Sequence, residues 1–269
     1  MKYKNMIEAD EKKYPRVRRV YTAFHAFYDR DFAFPGEKHN FWEVVYIRGG
    51  GAVITADSMV YSLGKGDVIF HKPMEFHKIA SNSNEMLEVI IFSFEADGDL
   101  DYFKNGIFKI SPRSGEIAEK IPPLAEKAAK NPTAAQLLIN TIERFLITLR
   151  PEERLSKAPG DSPGAREFRE IVNTMERHIG ERLTIDELAA LCRLSGANMK
   201  KIFYRYTGTG VIKYFNAMKI ERAAQLLEQG KSIVEISDSL GFDNQNYFST
   251  VFKRETGICP SAYRRKNEF

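Results

Sequence analysis

Residues 241–264 read GFDNQNYFSTVFKRETGICPSAYR, and this stretch decides the fold of the C-terminal part of the chain. Phe248 and Phe252 stand one helical turn apart, and Gly257 follows where a helix would end. The other positions of this helix point away from the apolar stripe, and they include Gln245, Asn246, Ser249 and Thr250. That polar face is either ordinary solvated surface or a surface that forms hydrogen bonds with a partner.

The pattern occurs twice in the same part of the chain. Each copy has an apolar residue four positions after its start, another at eight and a glycine at thirteen, and the starts are Ser195 and Asn244, 49 residues apart. Upstream of each start, a threonine or serine precedes a glutamate by three residues, the capping-box pattern that begins a helix. The sequence therefore predicts two helix–turn–helix units, at about residues 184–206 and 232–255.

The second helix of each unit carries side chains that suit nucleic acid. Amides can bond adenine, and lysines can bond guanine or phosphate. Any amphipathic helix has a polar face, but two copies at matched offsets favour DNA recognition. The segment 211–229 between them is one helical pattern about 28 Å long, close to one turn of DNA at about 34 Å. The outward positions of the first copy are Ala197, Asn198, Lys200 and Lys201.

Residues 168–265 resemble the DNA-binding domain of the AraC/XylS family of bacterial transcription regulators. The matching pieces are LTIDELAALCRLS, KKIFYRYTG, KIERAAQLL and SIVEISDSLGFDNQNYFSTVFKRETGICPSAYR. Because two of the implied base-reading side chains are short, DNA shape should contribute alongside direct readout. The resemblance implies base contacts from Ala197, Lys200, Lys201, Gln245, Asn246 and Thr250, and phosphate contacts from Ser249, Lys253 and Arg254.

Residues 17–95 have the composition of short strands separated by turns. The segments WEVVYI, AVITA, MVYSL, DVIFH and MLEVIIFSF are rich in β-branched and aromatic residues, and RGGG, LGKGD and ASNSNE are turn compositions. This arrangement is typical of an antiparallel sandwich or barrel. From about Gly115 the apolar residues recur at helical spacing, most clearly over residues 133–150.

Residues 36–82 resemble the cupin-like barrel that many members of this family use as a sensor. The matching pieces are GEKHNFWE, Gly50 and LGKGDVIFHKPMEFH. At the positions where a cupin holds metal with three histidines and a glutamate, this chain has Glu37, His39, Glu43 and His77. One histidine is therefore replaced by a carboxylate, and the segment PMEFH is one residue shorter than the usual pattern.

These four residues allow two interpretations. Two carboxylates and two imidazoles can hold a divalent metal, whereas sensors of this family mostly use such residues to line a ligand pocket. We expect these residues to line a ligand pocket, with no metal and no cofactor. The ligand expected is sugar-like, because its hydroxyl groups can bond to carboxylates and its ring can pack on aromatic side chains. The predicted ligand-binding residues are Glu37, His39, Trp42, Glu43, His77, Phe24 and Tyr46.

A segment rich in proline and glycine, 151–165, has no apolar period and is predicted to be a linker. It separates a ligand-sensing and dimerisation domain, 1–150, from a DNA-binding domain, 166–269. The predicted fold class is α+β, with an N-terminal antiparallel, cupin-like β-barrel and an all-α double helix–turn–helix domain. By resemblance the helix at 133–150 is the dimerisation helix; the alternative is a helix that only covers the barrel.

Charge, cysteine content and apolar runs indicate which cellular compartment and which class of partner to expect. The formal net charge is +4, and the excess lies entirely within residues 166–269, which hints at a polyanionic partner. Cys192 and Cys259 show no disulfide or metal spacing, the N-terminus lacks a signal peptide, and no apolar run approaches the roughly 20 residues that span a membrane. We therefore expect a cytoplasmic protein without membrane contact.

The function predicted is a ligand-responsive transcriptional regulator, an activator rather than an enzyme. Its partners are double-stranded DNA, a small-molecule effector, RNA polymerase and a second copy of the chain. Two alternatives remain open at this stage. One is a metal-dependent cupin enzyme fused to a DNA-binding domain, and the other is a constitutive DNA-binding protein whose barrel only dimerises.

Overall fold

The structure is a computed structural model that describes residues 14–150, 153–155 and 162–266. The chain divides into two compact units, Met1–Gly160 and Asp161–Phe269. Most of the predicted linker, 151–165, lies outside the described residues. Within the described part of the chain, no helix combines the length and the apolar character needed to cross a membrane.

The first unit contains two antiparallel sheets. Six strands form one sheet in the order β1-β7-β2-β5-β8-β9, and three form the other in the order β4-β3-β6. The expected antiparallel, cupin-like architecture is therefore confirmed, although the described strands do not close into a barrel. The bounds are β1 Arg16–Tyr28, β2 Trp42–Gly49, β3 Gly51–Ala56, β4 Met59–Gly64, β5 Asp67–His71, β6 His77–Ser81, β7 Leu87–Asp97, β8 Ile107–Lys109 and β9 Glu153–Arg154.

Three helices lie between β8 and β9 in the chain: α1 Pro112–Glu119, α2 Ile121–Ala128 and α3 Pro132–Leu149. The helical pattern of the sequence is confirmed, but it is divided at Lys120, just before a Pro-Pro pair. Proline is tolerated in the first turn of a helix and not in its interior, so the pair Pro122–Pro123 lies in the first turn of a new helix. Asn131 caps α3 by accepting from the main-chain nitrogens of its first turn.

Both faces of the six-stranded sheet are covered. One face packs against the apolar stripes of the three helices, where Phe92 contacts Phe145 of α3 at right angles. The other face packs against the three-stranded sheet through aliphatic side chains such as Val45, Ile54 and Ile69. Burying both faces explains why the central strands read as nearly continuous apolar runs.

The second unit is entirely helical among its described residues. Its helices are α4 Pro163–Arg177, α5 Ile185–Leu191, α6 Gly196–Thr207, α7 Val211–Glu228, α8 Ile233–Ser239, α9 Gln245–Thr256 and α10 Pro260–Lys266. The pairs α5/α6 and α8/α9 are the two predicted helix–turn–helix units, and α7 is the predicted continuous helix between them.

The predicted caps are present in both copies. Thr184 and Ser232 each form a complete capping box with the glutamate three residues on. Ser195 caps α6 and Asn244 caps α9, where the Asn244 side chain accepts from Tyr247 N at 2.8 Å. Both second helices end at a glycine in the left-handed conformation. These local signals place the helix boundaries where the repeat predicted them.

Candidate functional site

A cavity of about 180 Å³ opens in the first unit, bounded by strands of both sheets and by the loop before β2. Much of its wall is aromatic or aliphatic, including Phe24, Tyr28, Phe32, Phe34 and Phe41. Polar and charged residues, eight of the sixteen that line the cavity, interrupt this surface, and such groups fix the orientation of a small molecule against an apolar wall. They are Thr22, Glu37, His39, Glu43, His71, His77, Lys78 and Ser93.

Backbone pairing brings the charged residues together. Glu43 lies on β2 directly opposite His71 of β5. Glu37, in the loop before β2, pairs with His77 at the start of β6: Glu37 N donates to His77 O at 2.9 Å, and His77 N donates to Glu37 O at 3.0 Å. The positions of these side chains are thus set by the strand register.

Four of the side chains converge on one point. His77 Nε2 lies 3.2 Å from Glu43 Oε1 and 3.6 Å from Glu37 Oε1. His39 Nε2 lies 3.7 Å from Glu43 Oε2. Glu43 and His77 are buried, His39 is half-buried and Glu37 is exposed. The structure therefore brings together all four residues that the sequence assigned to the cupin-like motif.

The electrostatics of this cluster are dominated by two opposite charges. Burial alone would lower the pKa of His77, but its contacts with Glu37 and Glu43 outweigh burial and raise this pKa to about 10. Burial alone would raise the pKa of Glu43, but the close approach of the His39 and His77 rings lowers it to about 2. With no other cation bound, the cluster contains an imidazolium beside a carboxylate at neutral pH.

His71 is a cavity residue that the sequence reasoning missed. Its ring is fully buried and stacks on that of His77 at 4.3 Å between centroids, while its Nδ1 lies 2.7 Å from Glu75 Oε1. Burial lowers the pKa of His71, so the ring is neutral at neutral pH. The available signal was its position six residues before His77 in the segment LGKGDVIFHKPMEFH.

Two of the predicted ligand-binding residues do not reach the cavity. Successive side chains of a strand point to opposite faces, so Glu43 and Val45 of β2 face the cavity. Trp42 and Tyr46 face the other way and are buried in the core beneath the helices. The expectation that these two rings line the cavity is therefore corrected, whereas Phe24 does line it.

The second unit exposes the polar faces of α6 and α9. On α6, Met199 and Phe203 are fully buried, and on α9 Phe248 and Phe252 are fully buried. Of the nine residues that the sequence assigned to DNA contact, Ser249 is half-buried and the other eight are exposed. Arg254 forms an ion pair with Glu255 at 2.9 Å. The exposed residues are Ala197, Lys200, Lys201, Gln245, Asn246, Thr250, Lys253 and Arg254.

Two exposed tyrosines on these helices were not anticipated. Tyr204 on α6 is 65% exposed and Tyr247 on α9 is 46% exposed. A tyrosine hydroxyl can donate to a phosphate oxygen. Thr250 differs, because its hydroxyl already donates to Asn246 O at 2.9 Å. Thr250 can therefore contact a base only through its methyl group or through its hydroxyl oxygen as a hydrogen-bond acceptor.

Polar contacts join the two helix–turn–helix units. Lys219 of α7 donates from Nζ to Glu181 O at 2.6 Å, just before α5, and to Leu240 O at 2.7 Å, at the end of α8. Arg182 and Asp243 form an ion pair across the same boundary. These contacts set the separation of the two exposed helical faces.

Comparison with known proteins agrees with both halves of this description. Residues 19–158 match the family described as the AraC-like ligand binding domain, and residues 188–266 match a helix-turn-helix domain. The chain is 24% identical over 243 residues to an uncharacterized HTH-type transcriptional regulator, YidL, of Escherichia coli, covering 85% of this chain and 77% of YidL. It is 23% identical over 251 residues to the HTH-type transcriptional activator RhaS of an Enterobacter species, covering 87% and 88%.

Among solved structures, the chain is similar to an AraC-type transcriptional regulator from Chromobacterium violaceum. The identity is 31%, the match covers 40% of this chain and 96% of that one, and the TM-score is 0.37. YidL and RhaS are both named as transcriptional regulators. The family match spans more than half of the chain and includes the cavity, so this protein belongs to the AraC family of ligand-responsive, DNA-binding transcriptional regulators.

Proposed function

We propose that the regulator reads two successive major-groove segments of promoter DNA with the exposed faces of α6 and α9. The supporting observation is the repetition: each helix is capped at a matched position, buried on one face and polar on the other. Helix α7 spaces the units at a length close to one turn of DNA. The proposed base contacts are Ala197, Lys200, Lys201, Gln245, Asn246 and Thr250, and the proposed phosphate contacts are Ser249, Lys253 and Arg254.

A double substitution tests the second recognition helix. Gln245→Ala with Asn246→Ala removes two exposed amides while leaving the buried face of α9 unchanged. We expect promoter affinity to fall by about 1–3 kcal/mol per lost base contact, with little change in binding to unrelated DNA. Gln229→Ala, an exposed amide at the end of α7, serves as the matched control. An unchanged footprint in the double variant would reject these residues as base readers.

We propose further that the cavity binds a small polyhydroxylated effector, such as a sugar. Hydroxyl groups suit the cluster of carboxylates and imidazoles, and a sugar ring suits the aromatic wall beside it. Binding to one conformational state better than the other would then shift the protein between DNA-binding states. The cavity chemistry carries this proposal, because no buried cluster of this kind is needed to hold two sheets together.

A thermal-shift screen of sugars and related metabolites tests the effector class. A ligand at 100 times its Kd stabilises the folded state by about 2.7 kcal/mol. Phe24→Ala should reduce the shift by removing part of the aromatic wall. Phe27→Ala changes an exposed ring of the same strand that does not line the cavity, and it should leave the shift unchanged. A screen without hits among hydroxyl-rich compounds would count against this effector class.

Finally, we propose that residues 1–150 sense and dimerise, that residues 166–269 bind DNA, and that the homodimer activates transcription with RNA polymerase in the cytoplasm. The outer face of α3 exposes Leu137 and Ile147, at 49% and 46%. Such apolar exposure suits helix-to-helix contact between two copies. Leu137→Glu with Ile147→Glu should yield a monomer in sedimentation analysis; a persistent dimer would assign dimerisation elsewhere.

A further inference from the structure

The four converging side chains of the cavity have the spacing that a bound metal ion requires. A tetrahedral ion with nitrogen and oxygen ligands at about 2.0–2.2 Å holds its ligand atoms about 3.3–3.6 Å apart. His77 Nε2 lies 3.2 Å from Glu43 and 3.6 Å from Glu37, and His39 Nε2 lies 3.7 Å from Glu43. One ligand atom from each residue fits within a span of 4.8 Å. Only small shifts are needed to surround an ion.

Main-chain carbonyls orient both imidazoles for coordination. His39 Nδ1 lies 3.0 Å from Phe41 O, and His77 Nδ1 lies 3.2 Å from Glu75 O. Because a carbonyl oxygen only accepts, each Nδ1 must carry a hydrogen. A metal ion that binds here displaces the Nε2 proton of His77 to solvent, and the lone pair of each ring is then on Nε2, the atom that faces Glu43. Histidines that bind metal usually donate their other ring nitrogen to a carbonyl or carboxylate in this way.

The same two Nε2 atoms lack a hydrogen-bond partner although both are buried. The 3.2 Å contact of His77 with Glu43 brings opposite charges together, but its direction does not fit a hydrogen bond. His77 as a whole is only 4% exposed. A buried polar atom left unpaired costs free energy. A cation at this point would satisfy both imidazoles and neutralise the carboxylates.

We propose that His39, Glu43 and His77, with Glu37 as the fourth ligand, bind one divalent transition-metal ion. Mixed imidazole and carboxylate ligands favour zinc, cobalt or nickel over magnesium or calcium, which prefer oxygen alone. Glu37 is exposed and is the ligand that an oxygen of an effector can replace. The proposal deepens the effector site described above, but metal binding can be measured without effector and without DNA.

Cobalt(II) and zinc(II) are the probes for the test. The full chain is stripped of metal with a chelator, dialysed and titrated with cobalt(II) by visible absorption and with zinc(II) by calorimetry. We expect one ion per chain and an intense tetrahedral cobalt spectrum. His39→Ala and His77→Ala should each weaken binding at least about 10-fold, since even the loss of an outer hydrogen bond costs that much. His25→Ala is the matched control, because His25 pairs with Glu88 outside the cluster.

Circular dichroism on the same samples shows whether each variant is folded, and a promoter footprint shows whether it binds DNA. Metal binding can therefore fail while folding and DNA binding are retained, which separates this proposal from the function proposed above. If an alanine variant fails to fold, Glu37→Gln replaces it, since that exposed side chain can change without disturbing the core. Glu37→Gln should alter the cobalt spectrum. The proposal is overturned if the folded, DNA-binding wild-type chain gives no cobalt spectrum, or if every variant binds metal as tightly as the His25→Ala control.

Discussion

At the scale of single residues, Lys219 shows how one ammonium group can connect two helical units. It is only 3% exposed, and its Nζ lies 4.8 Å and 5.6 Å from the ring centroids of Phe215 and Phe242. Burial lowers the pKa of Lys219 to about 8, although the nearby charge of Glu181 opposes this shift. Connecting the two helix–turn–helix units through Lys219 therefore requires that a charged group lose its contact with water, which is unfavourable.

This shift predicts a pH dependence of stability. Between about pH 8 and the ordinary lysine pKa of 10.5, the folded state has released this proton while the unfolded state still binds it. Stability therefore rises with pH in this window, at no more than about 1.4 kcal/mol per pH unit, and is independent of this group below it. Urea unfolding followed by circular dichroism measures it. In Lys219→Met this component should vanish; identical pH profiles for both proteins would contradict the assignment.

A second residue-scale prediction concerns Gly241, where the two helix–turn–helix units approach each other closely. Its φ is +64°, and an added Cβ would lie 2.5 Å from Gly180 O. Gly241→Ala should therefore destabilise the protein by about 1–3 kcal/mol and weaken promoter binding by changing the spacing of the units. Gly230→Ala is the control, because Gly230 has φ +81° and open space around its Cβ. Equal thermal unfolding of the two variants would show that the contact with Gly180 is unimportant.

At the scale of elements, short helices depend on their ends. Helices α5 and α8 have only seven residues each, too few to be stable without tertiary contacts and caps. In α8, Glu235 N donates to Ser232 Oγ at 3.2 Å, and Ser232 N donates to the Glu235 carboxylate at 2.8 Å. The cap also fixes where the second helix–turn–helix, α8/α9, begins, and with it the position of α9.

Removal of this cap has a predictable cost. Ser232→Ala should lower the free energy of unfolding by about 1 kcal/mol, because it leaves the first amides of α8 without an acceptor. Ser239→Ala, at the other end of the same helix, removes a hydroxyl that donates to Ile236 O and caps no amide. We expect a clearly smaller loss there in chemical denaturation. Equal losses would indicate that general helix propensity, rather than capping, sets the stability of α8.

At the scale of the whole molecule, the excess positive charge and the two helices proposed to contact DNA, α6 and α9, belong to the same part of the chain, residues 166–269. Charge of this kind attracts any DNA sequence, whereas base contacts discriminate between sequences. On α9 the proposed base contacts, Gln245 and Asn246, lie in the first turn, and the proposed phosphate contacts, Lys253 and Arg254, lie in the last.

The salt dependence of DNA binding distinguishes these roles. Lys253→Ala should weaken binding to promoter and unrelated DNA alike, and it should reduce the slope of log K against log salt by about 1. Gln245→Ala should leave the slope unchanged and reduce only the preference for the promoter. Titrations at several salt concentrations measure both quantities. If the two variants behave alike, the division of α9 into phosphate and base contacts is wrong.

The sequence was most informative where structure depends on neighbours along the chain. The helix–turn–helix repeat, its capping boxes and its terminal glycines were predicted at the correct positions. The strands were recognised as strands, but their faces were not. All six residues from Trp42 to Ile47 are buried, so the sequence shows no alternation of polar and apolar residues that could assign Trp42 and Tyr46 to the helix-covered face.

Local sequence alone determined the α+β class, the order of the elements and the polar faces of α6 and α9, because caps, turns and helical periods act over about a dozen residues. Only the tertiary structure decided which side chains meet in the cavity. Glu37 reaches His77, and Glu43 reaches His71, through strand pairings that join distant parts of the chain. A shift of one residue in either register would turn these groups to the opposite face, and no short segment encodes that register by itself.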